Sequence, residues 1–187
     1  MEQQEGDGVR DDNEILAVRV PEVVERFYND WELKTKAVLM FRRAQVSDYD
    51  RGFPALLGQL TTLGNISREA YEQRLNTLVN INKTGPCTYW LLVAEDVESN
   101  RIIACGTLMV ELKFIHECGK VGHIEDVVVD QEYRKLRIGQ KMIKILLDIA
   151  EGEGCYKVML DCNDTNVPFY QSVGFELNSR HMAKYSH

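Results

Sequence analysis

The sequence predicts an α/β fold, a single mixed central sheet flanked by helices. Three observations carry that expectation. Runs rich in β-branched and aromatic residues, "TYWLLVAED", "IIACGTLMVELKFI" and "HIEDVVVD", follow one another across short turn-like gaps. Segments with helical apolar spacing stand before and after them. The 187 residues, 44% of them hydrophobic, suit one globular unit with one core.

Residues 1–14 hold six acids and one arginine, so they carry −5 of the net charge of −7 and leave −2 for the rest. They read as an acidic disordered tail. Residues 15–36 read as an N-terminal extension, and 37–187 as the folded domain. "AVLMFRRA" (37–44) is the first strand. Ser47 is placed to cap a helix through "DYDRGFPALLGQLTTLG", with Pro54 marking a break or a second start and Gly64 the stop. Ser67 opens the next helix, where Tyr71, Leu75, Leu78 and Val79 share a face. "NKTGP" breaks it. Three strands follow, joined by "VESNR" and "ECGKVG". A helix over about 138–151 buries Ile138, Met142, Ile145, Leu146 and Ile149, and "GEG" ends it. "YKVMLD" is a strand, "NVPFYQSVG" a short helix, and "FELNSRHMAKYS" a final extended segment. The order is β-α-α-β-β-β-α-β-α-β.

Several function classes are excluded. The nearly balanced domain charge does not suggest nucleic-acid binding. No apolar stretch approaches the ~18 residues of a membrane span, and the acidic start is not a signal peptide, so a cytoplasmic protein is expected. Five cysteines without C-x-x-C spacing suggest reduced thiols rather than a disulfide scaffold, and no metal motif is present.

One stretch asks for a ligand. "VVVDQEYRKLRIGQKMI" passes from a strand through a cationic loop into a helix. A helix start has N–H groups without internal partners, and with the dipole they form an anion site that suits a pyrophosphate. Arg134, Lys135 and Arg137 add formal charge. Spacing alone leaves open a solvated basic loop. A P-loop or dinucleotide loop is excluded by the missing glycines.

The same stretch resembles the acetyl-CoA-binding motif of the GCN5-related N-acetyltransferase (GNAT) family, in which R/Q-x-x-G-x-G/A follows a strand. Arg134 and Gly139 match its ends. Arg137 stands at its middle glycine, and Lys135 at another position that often holds glycine. "KFIHECGKVGHIEDVVV", "CYKVMLDC" and "NVPFYQSVGF", in that order, resemble the branch of the family that acetylates glucosamine 6-phosphate, a step toward UDP-N-acetylglucosamine. The resemblance covers about residues 47–182.

That resemblance implies a sheet with a splayed strand pair and acetyl-CoA as cosubstrate, with no metal. It implies that the pantetheine arm pairs with Val127, Val128 and Val129. Arg134, Lys135, Leu136, Arg137, Ile138, Gly139 and Gln140 would hold the pyrophosphate, and Asn166 would add a contact. The Val127 N–H would face the reacting carbonyl oxygen, and the Tyr170 hydroxyl the leaving sulfur. Asp161 would hold the amine. Thr61, Lys113, Phe114, Ile115, His116, Glu125 and Asp126 would contact the amino-sugar phosphate. A homodimer whose final strand crosses to the partner would build each site from both chains. The readings left as alternatives are an acetyltransferase for another amine and a non-catalytic acyl-CoA-binding domain.

Overall fold

A computed structural model of the protein describes residues 38–179 and 181–185. The expected tail, 1–14, and extension, 15–36, lie outside the described residues, as does Arg180. The sheet has five strands in chain order: β1 (Leu39–Arg43), β2 (Tyr89–Asp96), β3 (Arg101–Leu112), β4 (Lys120–Val129) and β5 (Cys155–Met159). The first four pair antiparallel, as short connections allow. β5 runs parallel to β4 because the helix α3 (Ile138–Gly152) crosses between them.

Both faces of β2 and β3 are covered, which accounts for their nearly continuous apolar sequence. On one face α3 buries Ile138, Met142, Ile143, Ile145, Leu146 and Ile149 against Leu92, Ile103, Leu108, Val110 and Ile124. On the other, α1 (Phe53–Leu57) and α2 (Arg68–Thr84) bring Phe53, Leu56, Tyr71 and Leu75 onto Val93, Ile102, Cys105 and Val128. Adjacent strand residues, Ile102 and Ile103, serve opposite faces, as the pleat requires.

α2 begins as expected, with the Ser67 hydroxyl accepting from the Ala70 N–H at 3.2 Å. The preceding segment differs. Ser47 caps nothing: Asp48 is fully buried and accepts from the Gln45 N–H at 2.8 Å, which closes a 3-10 turn over Val46–Tyr49. Asp48 is held there by a two-pronged bond from Arg42, at 2.7 and 2.9 Å, and Arg42 also reaches Glu95 on β2. The helical start at Pro54 holds, but α1 ends at Leu57. Gly64 is left-handed in the loop beyond rather than a helix stop. The expected last strand, after Gly174, pairs with no strand among the described residues.

Candidate active site

The site grows from an irregularity in β4. Val128 pairs with Cys105 and Glu125 with Thr107, so Asp126 and Val127 together face Gly106. Two residues against one is a bulge, and Asp126 takes the left-handed conformation, φ 53°, that lets the chain make the extra step. Gly106 belongs there for a packing reason. A Cβ at that position would lie 3.1 Å from Leu146 and 3.2 Å from Met142, so α3 rests on bare backbone opposite the bulge.

β4 then parts from β5. The pairing runs from Lys120 to His123 on β4 and stops at Met159 on β5. From Ile124 onward that edge of β4 has no β5 partner, which is the splay expected of the fold. Helix α4 (Val167–Gln171) contributes Tyr170, whose ring meets Phe169 edge-on at 5.0 Å and Phe175 at 6.1 Å.

A cleft of about 590 Å³ opens beside this unpaired edge. Val127, Val128 and Val129 line it, with Arg134, Lys135, Arg137, Ile138, Gly139, Gln140, Asn166 and Tyr170. Leu136 does not; it is half-buried against the main core, because its side chain follows the apolar face of the loop. Asn166 lines the cleft and stands at the start of α4, but its side chain makes no capping bond. Asn163 caps the turn before it, accepting from the Asn166 N–H. Gly139 allows a close approach: a Cβ there would sit 3.1 Å from the Phe169 ring and 3.4 Å from Val129.

Tyr170 also lines a second cleft, of about 490 Å³, with Val158, Met159, Leu160, Asp161, Cys162 and His181. His181 Nδ1 lies 2.9 Å from Asp161 Oδ2. Glu125 faces the same region: burial, and then the charges of Asp126 and Asp161, raise its pKa above the ordinary carboxylate value. Burial, then Cys162 and Glu125, raise that of the Tyr170 hydroxyl. The two clefts therefore meet at a protonated phenol, with carboxylates on one side and a basic loop on the other.

Residues 56–175 match the profile of the Acetyltransferase (GNAT) family. Glucosamine 6-phosphate N-acetyltransferase 1 of Dictyostelium discoideum is 43% identical over 147 residues, covering 79% of this chain and 90% of that one. The glucosamine 6-phosphate N-acetyltransferase of Arabidopsis thaliana is 40% identical over 77% of this chain and 94% of its own length. A crystal structure of the Arabidopsis thaliana enzyme superposes with a TM-score of 0.75, 39% identity, and coverage of 79% of this chain and 97% of that one. The chain belongs to the GNAT acetyltransferase family, in its glucosamine 6-phosphate N-acetyltransferase branch.

The residues present fit the cosubstrate that a GNAT acetyltransferase uses. An open strand edge suits an extended amide-bearing arm. The first N–H groups of α3 lack partners four residues back, which suits a diphosphate. Lys135 and Arg137, at places where the GNAT motif carries glycine, hold left-handed backbone with φ of 69° and 61°, a region glycine enters freely.

Four lining residues were not singled out for this cleft from sequence: Gln59, Leu60, Tyr133 and Phe169. Gln59 reaches over from the end of α1, donating to Asp130 at 3.1 Å and accepting from the Gln131 N–H at 3.0 Å. Tyr133 donates to Asp96 at 2.6 Å, anchoring the basic loop to β2. Their signal would have been a polar residue with no local partner, which spacing does not reveal.

The sugar-site candidates divide. Glu125, Asp126 and Asp161 come together near the splay. Thr61 is exposed one residue beyond Leu60 and lines neither cleft. Lys113, Phe114, Ile115 and His116 lie in the β3–β4 turn, six residues of strand from the bulge, or roughly 20 Å. There Lys113 pairs with Glu111, His116 stacks on Tyr156 at 4.1 Å, and Phe114 is 96% exposed. Within one chain this turn does not reach the acids, because β4 runs the other way.

Proposed function

We propose that this GNAT acetyltransferase moves the acetyl group of acetyl-CoA onto the amine of glucosamine 6-phosphate, by direct attack with both substrates bound. One observation carries the reading: the unpaired edge of β4 past His123 converges with the start of α3 and with Tyr170 at one cleft. The substrate class draws its support from relatives at 43% and 40% identity that bear that activity in their names.

Acetyl-CoA, when bound, supplies the acetyl group already activated as a thioester. Val127 to Val129 would hold its arm and the backbone amides of Arg134 to Gln140 except Leu136 its diphosphate, with Asn166 beside it. The bulge at Asp126 re-aims the backbone, and the Val127 N–H is the candidate donor to the carbonyl oxygen as charge develops there. Tyr170 stays protonated near neutral pH, since burial favours the neutral phenol. A thiol holds its proton less tightly than a phenol, ~8.5 against ~10. Tyr170 therefore stabilises the departing sulfur as a hydrogen-bond donor more readily than by handing over a proton.

Glu125 and Asp161 hold the amine. Carboxylates raise the pKa of a nearby ammonium, which opposes its deprotonation, so both act as positioning groups and water carries the proton away. The 6-phosphate needs cations, and the candidates Lys113 and His116 lie too far along the same chain. A homodimer resolves this, with the partner's β3–β4 turn completing the sugar site. The exposed apolar residues of that turn, of the β5 edge and of the final segment (Phe114, Ile115, Met159, Leu177 and Met182) support such an interface. Sedimentation as a monomer at micromolar concentration would overturn it. A cytoplasmic setting accords with five unpaired thiols. No described helix is long and apolar enough to cross a membrane.

The test is release of CoA thiol with glucosamine 6-phosphate and glucosamine side by side. The phosphorylated sugar should give the higher kcat/KM by at least about 10²-fold, because the free sugar leaves the cationic site unpaired. Equal values would refute the substrate class.

A further inference from the structure

Lys135 and Arg137 present an oddity that the diphosphate site does not need. The GNAT motif carries glycine at these places, and glycine enters left-handed backbone without strain. Here the backbone is left-handed at both, φ 69° and 61°, yet both carry long cationic side chains. L-residues other than glycine adopt that region reluctantly, and such departures gather where a side chain is used.

Their surroundings leave both cations unspent. Each is exposed and lines the cofactor cleft. Among the described residues neither side chain has a hydrogen-bond or ion-pair partner. The nearby acids are engaged elsewhere: Glu132 pairs with Arg101 at 3.0 Å, and Asp130 with Arg101 and Gln59. Arg134 differs, since its Nε already donates to the Val129 carbonyl at 3.2 Å.

The proposed cosubstrate carries more negative charge than a diphosphate. Its adenosine end also bears a 3′-phosphate. If the α3 amides meet the diphosphate, that further phosphate is the anion left for a lysine point charge and an arginine fork. We propose that Lys135 and Arg137 recognise the 3′-phosphate, so that the enzyme prefers coenzyme A to dephospho-coenzyme A. The inference rests on the acetyl-CoA reading above.

Titration calorimetry of both nucleotides tests it, on the unaltered chain and on the double variant Lys135→Gly with Arg137→Gly. Glycine suits both backbone positions, so the apo melting temperature of the variant should not fall. The unaltered chain should bind coenzyme A about tenfold or more tightly than dephospho-coenzyme A. That preference should shrink as salt is raised. The variant should bind the two alike, with its affinity for dephospho-coenzyme A unchanged. A preference that survives in the variant, an equal loss for both nucleotides, or a fall in apo melting temperature would each overturn the inference. An unaltered chain that binds coenzyme A without preferring it overturns the inference alone. A chain that binds neither overturns the cosubstrate reading as well.

Discussion

At the scale of single residues, Tyr170 and Glu125 carry the two roles most open to test under the proposed function. Tyr170→Phe keeps the aromatic contacts with Phe169 and Phe175 and removes only the hydroxyl. Turnover should fall by about 10²-fold while CoA affinity stays within about twofold. Thiol-release kinetics and calorimetry measure the two, and unchanged turnover removes Tyr170 from the mechanism. Glu125 reports the local field. Burial, and the negative charges of Asp126 and Asp161, raise its pKa, and the same negative charge raises that of a bound ammonium. Glu125→Gln removes one negative charge, so the amine loses its proton at lower pH. The acid limb of the kcat profile should move to lower pH while KM for the sugar rises; a limb and KM that stay in place would contradict the positioning role. Sequence placed Tyr170, Gly139 and the acids because each sits in a contiguous motif. Gln59 escaped it, because its partners at Asp130 and Gln131 are 71 and 72 residues away.

At the scale of elements, legibility followed the strength of the local pattern. α3 was foreseen almost to the residue because eight of its residues are buried on one stripe. The segment after β1 was misjudged because tertiary contact decides it. The buried bond from Arg42 to Asp48 draws the chain into a 3-10 turn that no periodicity encodes. The bulge and splay are likewise properties of strand pairs, and only the resemblance anticipated them. α3 and α4 meet the sheet at Gly139, which is a testable joint. Gly139→Val would carry branches beyond a Cβ that already lies 3.1 Å from the Phe169 ring, and Phe169 is the neighbour of Tyr170. Crowding of this kind costs about 1–3 kcal/mol, so the variant should lose stability in denaturant and bind CoA more weakly. Unchanged CoA affinity would show that α4 and the start of α3 are not coupled.

At the scale of the whole molecule, the two halves of the sheet do different things. β2 and β3 are covered on both faces and carry the core. β4 and β5 separate, and the cleft-lining groups gather where they do. The β3–β4 turn lies at the far end of β4 from Glu125 and Asp126, so the proposed sugar site needs a partner's turn to be complete. Sequence could name the residues of that turn but not their distance from the acids, since strand pairing leaves no mark on periodicity. The central claim is that the gap between β4 and β5 grips an acyl-thioester cofactor. A crystal structure with coenzyme A bound tests it most directly. The pantetheine should lie along Val127 to Val129 and the diphosphate against the amides of Ile138 to Gln140, with the sulfur beside Tyr170; coenzyme A bound elsewhere, with β5 zipped onto β4 past His123, would contradict it.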